Sequence, residues 1–405
     1  MTFALWGMII AGCLIGLISF GTRSSFGLFV DPISGPSGFQ FGREAFAMAL
    51  ALQNLFWGIG QPIAGALADR FGPWRVLAGG GVLFACGLAL MTVSSDPTSF
   101  SLTAGILIGL GMSGAGHNTV IAAFAQLMPE DRRPWAMGLA TSMASLGQFL
   151  IVPLGQAFIE AYGWSSAILI LAVAMATTPA LAMALRTNSK GQSTAPPTTA
   201  TAGSLAESLR QAFGHQSFWL LIAGFFVCGF QLSFITVHFP PYLSDMGISA
   251  GVASWGLAMI GLFNIVGSYL AGPLSARWSR KVLLSVIYAA RGLVMIVFLV
   301  MPLSTASVLL FGAAMGVLWL STVPPTAQLV GVMFGNRYLS MLFGFVFLSH
   351  QVGAFLGVWL GGKIFAMTGS YLPIWWGAVV LAFLAALVHL PIRERLWAPR
   401  YATGS

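Results

Sequence analysis

Gly65-Ala-Leu-Ala-Asp69-Arg70-Phe-Gly-Pro-Trp-Arg75-Val-Leu77 decides how this chain is read, because long apolar runs lie on both sides of it. Three charges between two such runs mark a tight turn at a membrane face. Gly65 permits close helix contact, Asp69 can brace a neighbouring helix end, and Arg70 and Arg75 hold the turn in water. The layout returns 207 residues later, at Gly272–Leu284, with Gly272, Arg277, Arg280 and Lys281; Ala276 stands where an aspartate would be. A second repeat runs through the glycines. Gly138, Gly147, Gly155 and Gly163 recur as Gly344, Gly353, Gly361 and Gly369, at a constant offset of 206. Two patterns at nearly one spacing predict an internal duplication of the fold.

Hydrophobic residues make up 57% of the 405 positions and charged ones 7%, which excludes a soluble domain of this size. At about 20 apolar residues per crossing, spans fall near 5–30, 45–68, 74–93, 100–127, 135–160 and 164–185, then 217–240, 250–276, 282–301, 305–333, 339–362 and 371–391. The expected fold is an all-α membrane protein, with twelve transmembrane helices in two pseudo-symmetric six-helix bundles. The expected units are 1–187, a Thr/Ser/Ala/Pro-rich linker at 188–216, and 217–405. The first apolar run is too long for a signal peptide and reads as a retained helix. Cys13, Cys86 and Cys228 all fall in apolar runs, so neither a disulfide framework nor a metal site is expected.

The net charge of +8 is explained by topology rather than by a nucleic-acid partner. With the amino end inside, Arg70, Arg75, Arg132, Arg133, Arg186, Lys190, Arg210, Arg277, Arg280, Lys281, Arg337, Arg393, Arg395 and Arg400 fall on the cytoplasmic side. Only Arg43 and Lys363 fall outside, a strong positive-inside bias.

Two cations remain within spans, Arg23 and Arg291, while all ten acidic residues sit at or beyond span ends. An uncompensated arginine at a helix centre costs roughly 2.5–3.5 kcal/mol. A visiting carboxylate would match a guanidinium through two parallel hydrogen bonds. The site is therefore expected to take an anion. Candidate substrate-binding residues are Arg23, Arg291, His117, Asn118, Gln231, Asn264, His350 and Gln351; His117 and His350 are also candidates for carrying a proton. Gly65, Asp69, Arg70 and Arg75 are candidate gating residues.

The whole layout, and the Gly65–Arg75 turn in particular, resembles the major facilitator superfamily. A narrower resemblance begins at Arg132-Arg-Pro-Trp-Ala-Met-Gly-Leu-Ala and runs through Gly147 to Ala161-Tyr-Gly-Trp-Ser-Ser-Ala. That stretch is similar to the fifth-helix motif of monocarboxylate transporters, which move lactate-like anions with a proton. Arg23 lies within one residue of that family's first-helix lysine. Asn264 stands at its eighth-helix aspartate, and Ser268 at the arginine four residues on. The resemblance implies a bacterial relative of the monocarboxylate branch: a monomer in the inner membrane with both termini cytoplasmic, working by proton symport and needing no cofactor. Anion antiport and export of amphipathic drugs stay open as alternatives. No serine, cysteine or metal constellation at one membrane face supports an enzyme.

Overall fold

The computed structural model describes residues 3–36, 38–129, 131–186, 205–335 and 339–395. Residues 188–204 of the expected linker, with Lys190, lie outside the described residues, as do Glu130, Arg337 and Arg400. α1 (Phe3–Ser24) continues through a 3-10 turn, Phe26–Phe29, into Val30–Ser34. α2 spans Gly42–Phe71, α3 Pro73–Met91 and α4 Pro97–Leu127. The helical run Arg133–Ala176 is divided at Gly163 into α5 (133–162) and α6 (164–176). Beyond the short helix Leu205–Phe213 come α7 (Gln216–Asp245), α8 (Ala250–Arg277) and α9 (Arg280–Val300). α10 (Thr305–Phe334), α11 (Leu339–Thr368) and α12 (Leu372–His389) complete the bundle.

Among the described residues, ten stretches are long and apolar enough to cross a membrane. Two observations bring the crossings to the expected twelve. One of the ten, Trp135–Met183, has 49 residues; at 1.5 Å per residue it would measure over 70 Å, more than twice a bilayer core of about 30 Å. Its chain breaks at Gly163, where φ is 79°, a region open to glycine. The other is α2, which has 30 residues but carries Gln53, Asn54 and Gln61 along its length and charges at both ends. Large apolar side chains such as Val173, Tyr269, Leu293 and Leu310 point outward. A surface of that kind takes lipid as its solvent.

The glycine ladder acquires a physical meaning. A Cβ at Gly147 would lie 2.0 Å from the Leu17 carbonyl oxygen of α1, and one at Gly353 2.0 Å from the Phe226 oxygen of α7. Equivalent glycines thus seat equivalent helix pairs, α5 on α1 and α11 on α7. Gly163 and Gly369 also match, each ending its helix with positive φ. α2 packs against α11 and α5 against α8, and these two pairs join the halves.

α10 breaks between Leu318 and Val323, just ahead of Pro324 and Pro325. Each proline lacks an N–H and crowds the carbonyl four residues back, which places the disruption at Leu320 and Ser321.

Candidate functional site

Arg23 sits near the end of α1, partly buried between the halves. Its Nη2 donates to Asn54 Oδ1 on α2 at 3.2 Å, and its guanidinium lies 4.9 Å over the Trp57 ring. Asn54 is aimed by its own Nδ2, which donates to the Leu50 carbonyl at 2.9 Å. Trp57 falls three residues on, so one face of α2 supplies both contacts. The His117 ring stands edge-on to Phe20 at 5.0 Å and to Trp57 at 6.4 Å. Arg23 has no carboxylate partner among the described residues. A cavity of about 10 Å³ lies beside it, lined by Gln53 and Asn54 from one half and Ser233 and Thr236 from the other.

The break in α4 places His117. Gly116 has φ −71° and ψ 161°, so His117–Leu127 starts as a new helical segment inside the membrane. The first N–H groups of such a segment have no preceding turn to bond. Asn118 follows on it, partly buried.

Across the boundary, Gln351 Nε2 donates to the Asn54 backbone carbonyl at 3.0 Å, and Gln351 Oε1 meets His350 Nδ1 at 2.9 Å. The Phe347 ring stacks on His350 at 5.8 Å and reaches Trp57 at 5.6 Å. Arg23, His117, His350 and Gln351 are therefore brought to one place, around Asn54 and Trp57.

Arg291, Asn264 and Gln231 are placed elsewhere. Arg291 is fully buried on α9, with Nε and Nη2 donating to the Leu318 carbonyl at 3.1 and 2.7 Å and Nη2 also to the Trp319 carbonyl. Those are the acceptors freed where α10 breaks, so the guanidinium caps a helix C-terminus within the bilayer. Its Nη1 points to Cys228 Sγ at 3.4 Å. Asn264 Nδ2 donates to Ser145 Oγ at 2.9 Å, and its Oδ1 accepts from Ser268 Oγ and from the Leu320 N–H. That amide ties α8 to α5 and to the α10 break. Gln231 Nε2 donates to the Ala378 carbonyl of α12 at 3.0 Å. Sequence alone does not show which way these side chains face.

On the basic face, the turn residues bond within their own half. Asp69 accepts from Gln126 Nε2 at 2.7 Å, Arg75 Nη1 donates to the Phe71 carbonyl at 2.9 Å, and Arg70 lies over Phe71. Gly65 has open space where a Cβ would be. In the second half Glu394 accepts from Ser279 Oγ and the Lys281 N–H, each at 2.6 Å. Burial pushes its carboxyl up, but these hydrogen bonds and the Arg280 charge outweigh that and hold it below the usual carboxylate range.

The opposite face holds a lock that sequence reasoning missed, having read Arg43 only as a charge outside the membrane. Arg43, in the first turn of α2, grips Asp245 at the end of α7 through two bonds of 2.6 and 2.7 Å. Its Nε donates to Asp31 at 2.8 Å, and its guanidinium lies 4.4 Å over Phe365. A bidentate pair between halves, partly exposed, is worth about 1–1.5 kcal/mol after screening. Arg43→Gln is thus expected to shift the balance between closed and open forms of this face roughly tenfold. Spin labels on the loops before α2 and after α7 would report it as a second, longer distance; an unchanged distribution would show that packing alone closes the face.

Among the described residues no group of three or more His, Cys, Asp or Glu side chains gathers as a metal site.

A model described as Major Facilitator Superfamily matches residues 12–335. An uncharacterised MFS-type transporter, YcxA of Bacillus subtilis (strain 168), is 28% identical over 397 residues, covering 93% of this chain and 91% of that protein. Monocarboxylate transporter 13 of Rattus norvegicus is 26% identical over 395 residues, covering 95% and 89%. Among solved structures, a bacterial homologue of the human lysosomal transporter Spinster matches with a TM-score of 0.74 at 13% identity, over 98% of this chain and 100% of that one. At that identity the likeness concerns the fold.

Proposed function

Because this chain belongs to the major facilitator superfamily, and is thus an integral membrane protein and secondary transporter, we propose that its substrate is a small monocarboxylate carried with a proton. Residues 1–187 and 217–405 are the two moving halves, joined by 188–216, and one site between them opens to each side in turn. The observation that carries this reading is Arg23: a cation within the membrane, at the boundary of the halves, bonded among the described residues to a neutral amide and an aromatic face. A carboxylate would complete its valence for charge. The new helical start at His117 adds N–H groups of the same sign. The cavity beside Arg23, about 10 Å³, holds one water at most in this form, so the pocket suits a small group. Relatives that carry the name monocarboxylate transporter support the same chemistry.

In this assignment Arg23 holds the carboxylate, and His117, Asn118, Asn54 and Gln351 line the site. Arg291, Asn264 and Gln231 hold the scaffold. The turn with Gly65, Asp69, Arg70 and Arg75 closes the cytoplasmic face in the other half of the cycle. Arg43 locks the outer face in this form, Asp69 is bonded within its own half, and the membrane assigned is a bacterial plasma membrane. Coupling to a proton follows from energetics. An interior-negative potential opposes each entering anion by about 2.3 kcal/mol per 100 mV, and a co-transported proton cancels that charge.

Uptake of labelled L-lactate into proteoliposomes tests the proposal. Accumulation is expected when the outside is made acid, with collapse on adding a protonophore. Uptake that ignores the pH gradient but rises with anion loaded inside would make the protein an exchanger. No uptake of lactate, pyruvate or acetate under any gradient would remove the monocarboxylate reading.

A further inference from the structure

A groove of about 440 Å³ opens where α7, α11 and α12 of the second half meet. Ile222 and Phe226 of α7, Ser349 and Val352 of α11, and Leu384 and Val388 of α12 line it. Glycine contacts to either side fix its walls. At Gly229 of α7 a Cβ would strike the His350 carbonyl of α11, and at Gly224 one would strike the His389 ring of α12. α7 is thus held tightly to both neighbours, while the small side chains of Ala223 and Ala385 leave room between them. Leu384 shares a stripe of α12 with Val380 and Leu387, all three pointing outward, so the groove faces lipid.

Its lining offers water nothing. The one hydroxyl there, Ser349 Oγ, spends its hydrogen on the Ile222 and Val346 carbonyls at 3.0 and 2.7 Å. A water needs two to four polar partners, so the groove takes hydrocarbon. Its depth suits one leaflet. Ile222 and Phe226 lie five and nine residues beyond Ser217 in the first turn of α7, about 8 and 14 Å at 1.5 Å per residue. Half of a 30 Å bilayer core is about 15 Å.

The end of the groove at the basic face carries unspent positive charge. The Arg393 N–H donates to Ser217 Oγ at 3.1 Å, which ties the segment after α12 to the start of α7. Arg393 and Arg395 are both exposed, and neither has a carboxylate partner among the described residues. Glu394 between them is turned away, bonded to Ser279 Oγ and the Lys281 N–H and 3.6 Å from Arg280. Lys281 Nζ, on the Leu390 carbonyl at 2.9 Å, adds a further cation at the end of α12. An apolar slot one leaflet deep, with cations at headgroup level, matches a single kind of molecule.

We propose that this groove seats one acyl chain of an anionic phospholipid from the leaflet at the basic face, with the lipid phosphate between Arg393 and Arg395. The lipid touches only the second half and travels with it, so it does not obstruct the boundary between the halves.

Native mass spectrometry of protein released from micelles with equal phosphatidylglycerol and phosphatidylcholine tests this. The wild type is expected to retain one phosphatidylglycerol, preferred roughly ten- to thirtyfold, the factor for two arginines at an anionic headgroup. Arg393→Gln with Arg395→Gln should bring the two lipids near parity. Ala223→Trp, which fills the groove from an exposed position, should lose both lipids; Val352→Trp fills it from α11 and should do the same, which separates filling from misfolding. Arg186→Gln with Arg277→Gln removes equal charge from exposed positions on the same face and should keep the preference. An equal loss in that control would reveal diffuse attraction and overturn the proposal. Lipid retained in both groove-filling variants would overturn it too, by placing the lipid elsewhere. So would a wild-type dimer that Ala223→Trp abolishes, because a second copy then covers the groove. Lactate uptake plays no part in these readouts, so their failure leaves the transport proposal standing.

Discussion

Arg23→Gln is expected to leave a folded protein whose affinity for carboxylates falls ten- to 150-fold. The range corresponds to about 1.5–3 kcal/mol for a hydrogen bond to a charged group, at 1.4 kcal/mol per decade. The structure explains why folding should survive. Arg23 makes one side-chain bond, to Asn54, and one ring contact, to Trp57. Asn54 keeps its own bond to the Leu50 carbonyl when the arginine is gone. Removing an uncompensated cation from the membrane also relieves a cost, so thermal stability without substrate should hold or rise. Calorimetry against a series of small carboxylates is the measurement. Wild-type affinity in the variant would make Arg23 an anchor of α1 and leave the anion site to be sought elsewhere.

Arg291→Met should do the opposite. The carbonyls of Leu318 and Trp319 have this side chain as their donor. Each acceptor left unsatisfied in a buried setting costs about 1–3 kcal/mol, which sums to roughly 2–6 kcal/mol across the α10 break. A fall in melting temperature of roughly 5–10 °C in detergent is expected, with unchanged lactate affinity in the protein that remains folded. Arg291→Lys should recover only part of the loss, because one ammonium cannot reproduce the planar fork. A variant that melts like the parent but no longer binds substrate would return Arg291 to the binding site.

The architecture was legible in the sequence because it rests on backbone demands that only certain residues meet. Gly163 and Gly369 end their helices with positive φ, and Gly147 and Gly353 lie where any side chain would strike a neighbouring carbonyl. Such demands repeat when a fold is duplicated, so the offset exposed them. The α10 break was half legible. Pro324 and Pro325 stand in the sequence as helix breakers, but the centre of the break lies four residues earlier, where the prolines' missing partners are. The candidate site was the least legible part. Polar residues inside spans could be named, yet a helix turns about 100° per residue, and only packing decides whether an amide faces a cavity or a neighbour. Asn264, Gln231 and Arg291 each found backbone or side-chain partners inside the scaffold. Trp57 carries no signature in the sequence, and Asn54 is one mid-membrane amide among several, with nothing to mark it as the partner of Arg23.

The Gln351–Asn54 contact between α11 and α2 has a mechanical meaning. It lies off-centre along α2, eleven positions from Arg43 and fifteen from Asp69. At 1.5 Å per residue these are arms of about 17 and 22 Å. If the helices pivot there, α2 works as a lever with its fulcrum nearer the Arg43 end. A tilt of a given angle then moves the Asp69 end about a third farther than the Arg43 end. The short arm carries the greater force for the same torque. A lock placed at that end must resist more load over less travel, a task suited to a short bidentate ion pair. The long arm sweeps the wider arc.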